Sequence, residues 1–152
     1  MASITPVILC GHFEEVGKAF SDGLQPGFEV VFFTTSPQSS ITAIPQILSG
    51  TIPSSSTGST KVGTGNLSHG IPKAVVIVSG SPATYYDDAF VDRVRKEIAS
   101  VGKRVPILKP DNNPTTTQQE KAGAAADRAA KALKKLADEG KLDGDDDGVY
   151  HY

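Results

Sequence analysis

At 152 residues with 38% hydrophobic side chains, the chain is sized for one domain burying roughly two thirds of the surface its unfolded form exposes, so no disulfide scaffold is needed. Its 15 Lys and Arg against 17 Asp and Glu leave a net charge of −2, and without a global positive field nucleic acid is not expected as a partner. Apolar runs far shorter than the ~20 residues of a membrane-crossing helix, no basic-plus-apolar secretory signal and the unpaired Cys10 together set the expectation of a cytoplasmic protein with no membrane partner.

Pro6-Val7-Ile8-Leu9-Cys10 is apolar throughout, as a strand covered on both faces by helices should be. Gly11 supplies a turn, and Phe13, Val16, Phe20 and Leu24 then recur at helical spacing, with Gly23 as a stop. Gln25-Pro26-Gly27 turns the chain into a second strand, where Phe28, Val30, Val31, Phe32 and Phe33 supply aromatic and β-branched bulk. Ser36 and Pro37 form a helix start, N-cap followed by the first helical position, with Ile41, Ile44 and Leu48 on the apolar stripe. Pro45 removes an amide donor from that helix and predicts a kink or a late start.

Residues 49–70 turn to Ser, Thr, Gly and Pro with almost no large apolar side chain, the composition of a flexible loop. Ala74-Val75-Val76-Ile77-Val78 reads as a third strand, and Ser79-Gly80-Ser81-Pro82 as a turn rich in backbone donors. Phe90, Val94, Ile98 and Val101 share a helical face, with Asp87 and Asp88 opposing the dipole at its start and Gly102 after its end. A fourth strand spans Val105 to Leu108. Thr117 with Glu120 forms a capping box for a last helix ending near Glu139, whose face of Ala122, Ala125, Ala129, Leu133 and Leu136 is mostly small. Asp143, Asp145, Asp146 and Asp147 lack EF-hand spacing and read as a solvated run, so no metal site is expected. Tyr150 and Tyr152 give this C-terminal tail, 143–152, aromatic residues that dock.

Strands alternating with helices favour parallel pairing and right-handed connections. The fold expected is α/β: a small three-layer open sheet, mainly parallel, with four core strands in the order 2-1-3-4, Rossmann-like or flavodoxin-like. One domain spans 1–142. In such a sheet ligands bind beyond the carboxyl ends of the strands where the strand order reverses, here between the first and third strands. Cys10, Gly11, His12, Ser79, Gly80, Ser81 and Lys109 are the residues that this topology gathers.

The loop Cys10-Gly11-His12-Phe13-Glu14-Glu15-Val16-Gly17 stands where a dinucleotide-binding domain carries its glycine fingerprint, and in this respect the chain resembles Rossmann-like proteins. With Gly17 as third glycine, His12 and Glu14 occupy the first two glycine positions, where backbone must approach pyrophosphate. Thr34 and Ser36 follow the second strand, at the place of a ribose-holding acid; their hydroxyls suit a ribose phosphate or the cap of the next helix. Lys109-Pro110 resembles the Lys-Pro pair of phosphorelay receiver domains, but Cys10-Gly11 and Ser79-Gly80 stand where that family has its acids and its phosphate acceptor. The whole chain, with its Gly148-Val149-Tyr150 ending, is similar to small uncharacterised fungal α/β proteins, a resemblance that implies a fold and no activity.

Cys10, at a strand end beside a helix start, is a candidate thiolate nucleophile with His12 as its base. No third group orients His12, and free cysteines commonly act as small apolar side chains. The leading expectation is a non-catalytic binding or regulatory module with a small-molecule crevice and a homodimer surface. The alternatives are a degenerate NAD(P)-type nucleotide binder using Gly11, Thr34, Ser36, Ser79, Gly80, Ser81 and Lys109, and a thiol-dependent enzyme using Cys10. No cofactor identity follows from these residues.

Overall fold

Apolar runs without alternation make strands that must be covered on both faces, and that requirement organises the molecule. The computed structural model describes residues 5–11, 14–24, 27–34, 37–51, 70–77, 88–109, 122–140, 142 and 148–151. In chain order the elements are β1 (Thr5–Cys10), α1 (Glu14–Leu24), β2 (Phe28–Thr34), α2 (Pro37–Leu48), β3 (Val75–Ile77), α3 (Asp88–Ser100), β4 (Ile107–Lys109), α4 (Ala122–Asp138) and β5 (Val149–His151). The strands form one five-stranded sheet in the order β2-β1-β3-β4-β5, and every pairing is parallel. The expected order 2-1-3-4 is present, and the arrangement is that of a small Rossmann-like or flavodoxin-like α/β fold. Residues 149–151, placed by sequence in a tail, add a fifth strand beside β4.

Among the described residues, two helices cover each face. Val7, Leu9, Val30, Phe33, Val76 and Leu108 pack with α1 and α4, while Ile8, Cys10, Val31, Phe32, Val75, Ile77 and Ile107 pack with α2 and α3. Alternation fails once, at Val31 and Phe32, which share a face because the β1–β2 register shifts between Val7 and Ile8. This bulge returns Phe33 to the α1 face. There it meets Gly17: a Cβ on Gly17 would lie 2.6, 2.7 and 2.8 Å from three carbons of the Phe33 ring. Gly17 thus brings α1 close to the sheet, the packing role of the fingerprint's third glycine.

The segment expected as strand 105–108 pairs two residues later, at Ile107–Lys109. Pro106 has no N–H for the ladder, yet its carbonyl accepts from the Val75 amide at 3.0 Å. α2 begins at Pro37, so there is no late start, and it runs to Leu48 with Pro45 inside. Its buried stripe is Ser40, Ala43, Ile44, Ile47 and Leu48, with Ile41 at the margin. On α3, Phe90, Val91, Val94 and Ile98 are buried; on α4, Ala126, Ala129, Leu133 and Leu136. The capping box at Thr117 and Glu120 lies outside the described residues, as do positions 52–69 of the expected loop and the acidic run 143–147.

Glycines cap the C-termini of α2 and α3. After α3, Gly102 takes φ +75° while its N–H reaches Ala99 O at 3.0 Å and the Lys103 N–H reaches Ile98 O at 3.2 Å, a Schellman motif. Gly50, at φ +98°, does the same after α2, with Gly50 N–H to Ile47 O at 3.0 Å and Thr51 N–H to Gln46 O at 2.9 Å.

The connections differ in hand. From β3 to β4 and from β4 to β5 the chain steps the same way across the sheet, but α3 and α4 lie on opposite faces. Those two crossovers therefore have opposite hands. The α1 and α2 crossovers share the hand of α3, and the α4 crossover has the opposite one. On the α4 face Val76 and Leu108 pack in one cluster with α1 and α4, and both are fully buried.

Candidate functional site

The sheet's registers place the ends of the strands in one row. Cys10 lies beside Thr34 on one side and Ile77 on the other, and Val76 beside Leu108 puts Lys109 level with Ile77. Cys10, Thr34, Ile77 and Lys109 share the side of the sheet that carries α2 and α3, because each stands two residues beyond a neighbour buried there. At ~4.8 Å per strand, Lys109 lies about 10 Å across the row from Cys10. The reversal of strand order falls between β1 and β3, at the middle of this row. Gly11 is buried just beyond it, and its N–H donates to Thr34 O at 2.9 Å.

Beneath the row is a closed polar cluster. Thr34 and Ser40 are fully buried, and their hydroxyl oxygens approach to 2.5 Å. Thr34 Oγ1 also donates to Leu9 O at 3.5 Å. Cys10, with no exposed surface, bonds to both hydroxyls. Burial pushes its thiol pKa up, and the bonds from Ser40 and Thr34 only partly oppose this. The neutral thiol is therefore the form held at neutral pH, and burial denies Cys10 the partly exposed setting of a reactive thiolate.

Ser40 completes this cluster and was not among the residues singled out from the sequence. Its signal was there: Ser40, Ile44 and Ile47 fall on one helical face, so a polar residue stands on an apolar stripe and needs a buried partner. Of the expected site residues, Cys10, Gly11, Thr34 and Lys109 are brought to the carboxyl edge, with Lys109 half-buried at the end of β4. His12, Ser36, Ser79, Gly80 and Ser81 lie outside the described residues. Among the described residues no group of three or more His, Cys, Asp or Glu could hold a metal ion, and no helix is long and apolar enough to cross a membrane.

Fold and row together define an open parallel α/β protein of the Rossmann-like or flavodoxin-like kind, a scaffold resembling those that bind nucleotides. No family model, no curated protein and no solved structure matches the chain.

Proposed function

We propose that this chain is a non-catalytic, cytoplasmic binding or regulatory module, homodimeric, that takes a small molecule over the carboxyl ends of β1 and β3. The observation that carries this reading is the closed Cys10–Thr34–Ser40 cluster directly beneath the strand-order reversal: the place where this fold binds ligands is present, and its nucleophile is buried as a neutral thiol. His12, Ser79, Gly80 and Ser81 are the residues proposed to border the ligand, with Lys109 at the far end of the row.

A thermal-shift panel of nucleotides, flavins and common metabolites tests it, because a ligand that binds only the native state raises its melting temperature. A rise with one ligand class, lost in Ser79→Ala and His12→Ala, is the expected result. Turnover abolished by Cys10→Ala or His12→Ala in a folded protein would overturn the non-catalytic reading. Sedimentation equilibrium reads the dimer directly.

A second reading, a degenerate nucleotide binder, is favoured by the strand order shared with flavin-binding flavodoxins. Two features oppose a phosphate at α1: the Gly11 N–H is spent on Thr34 O, and Glu15 carries a carboxylate in the first turn. Calorimetry with millimolar NAD, NADP, ATP or flavin tests this second reading: heat lost in Ser79→Ala is expected for a nucleotide held at the carboxyl edge, and heat that Ser79→Ala leaves unchanged counts against it.

A further inference from the structure

At the opposite, amino edge of the sheet two adjoining cavities of ≈ 320 and ≈ 300 Å³ share the wall Gly102, Lys103, Arg104 and Val105. Each is at the small end of the ~300–1,000 Å³ range of ligand pockets. Leu48, Ile71 and Leu142 complete the floor of the first, Ile98 that of the second. Around them stand Lys73, ahead of β3, and Arg95, on α3. Lys73, Lys103 and Arg104 are exposed and Arg95 half-buried, and the described lining residues include no carboxylate.

We infer that this cleft binds a small organic phosphate carrying two or more phosphoryl groups. The bland account is that Lys103 and Arg104 merely offset the negative end of α3. Magnitudes disfavour it: the C-termini of α2 and α3 each contribute about half a negative charge, one unit together, against the exposed cations Lys73, Lys103 and Arg104. The cations are also carried on pinned backbone. The Lys73 N–H donates to Pro6 O at 2.8 Å, and Lys103 is the closing residue of the α3 cap. Positive heads over a fixed apolar floor match a ligand with a phosphate end and an apolar body, since convergent guanidinium and ammonium donors pair with phosphate oxygens. This site is separate from the carboxyl-edge crevice, so the two stand or fall independently.

The test is an amide NMR titration of the full chain with pyrophosphate and, separately, with ADP. Saturable shifts are expected at Lys73 and at Gly102 to Val105 with both probes, ADP binding about tenfold more tightly because its base covers the apolar floor, and both weakening as salt is raised. Lys103→Glu/Arg104→Glu is expected to weaken binding about tenfold or more, while Lys18→Glu/Lys131→Glu, an equal change in net charge on exposed positions of α1 and α4, leaves it unchanged. Should the double reversal perturb the fold, the exposed Arg104→Ala reads the same contact. Shifts confined to Cys10, Gly11 and Ile77 would assign phosphate to the carboxyl edge and overturn the proposal. Absence of saturable shifts at the cleft, or equal weakening in both charge-reversal variants, would overturn it as well. Equal affinity for pyrophosphate and ADP would overturn the role given to the floor.

Discussion

The Cys10 thiol, fully buried, shares hydrogen bonds with Thr34 and Ser40 on the α2–α3 face of the sheet. Because burial raises its pKa in the folded state, the native protein holds this proton more tightly than the unfolded chain does. Its contribution to stability is therefore full below the unfolded thiol value, about 8.5, and is lost as pH rises from there toward the folded value. Urea denaturation of wild type and Cys10→Ala between pH 7 and 9.5 measures this: the wild type should lose stability relative to the variant above about pH 8.5, and a constant difference would show an accessible thiol. The hydroxyl pair has its own signature. Thr34→Val and Ser40→Ala are each expected to cost ~1–2 kcal/mol by leaving a buried partner unsatisfied, and the double variant should cost less than the sum by ~0.5 kcal/mol or more. A strictly additive cycle in chemical denaturation would mean that the two hydroxyls do not stabilise one another. Of this cluster, Cys10 and Thr34 were legible as strand-end residues; Ser40 was not singled out, because a stripe read for apolar residues passes over a serine.

At the scale of elements, two glycines separate close approach from conformation. Gly17→Ala places a methyl against the fully buried Phe33 ring, and overpacking of this sort costs ~1–3 kcal/mol. Phe33→Leu in the same chain should recover part of that loss, as thermal melts of the single and double variants will show; no recovery would point to a cause within α1. Gly102→Ala meets open space but a φ of +75°, so its expected cost of ~1 kcal/mol is backbone strain, and no neighbouring substitution should relieve it. The end of α3 was readable in advance because Gly102 stops an apolar stripe, whereas Gly23, expected as the stop of the first helix, lies inside α1, which runs to Leu24. The role of Gly17 was not, since a glycine inside a helix pattern carries no mark of the ring that will face it from another element. The start of β4 was missed for a related reason: hydropathy counts Val105 and Pro106 as strand, and only pairing reveals that proline's missing N–H delays the ladder.

For the whole molecule, the critical boundary is the β4 edge. β5 covers it with Val149 packed on the α2–α3 side and Tyr150 on the α1–α4 side. A chain ending at residue 147 leaves β4 as an edge strand formed of Ile107, Leu108 and Lys109, an invitation to edge-to-edge pairing. Such a chain should melt earlier than the full protein and elute as larger species in size-exclusion chromatography with light scattering. Unchanged melting and elution would show that β5 adds little to the sheet.

Apolar runs, turn residues and caps were enough to specify alternating strands and helices and a parallel sheet, because hydrophobic period and backbone sterics act locally; the order 2-1-3-4 came from the Rossmann-like or flavodoxin-like arrangement, and the strand pairing bears it out. Tertiary structure alone decided which face each helix covers, the opposite hand of the α4 crossover, the bulge at Val31 and Phe32, the recruitment of residues 149–151 as a strand and the sealing of Cys10 by Ser40. Each of these depends on area buried between residues distant in sequence. Val76 and Leu108, for example, are fully buried in one cluster with residues of α4 and of α1, the latter distant from both in the chain.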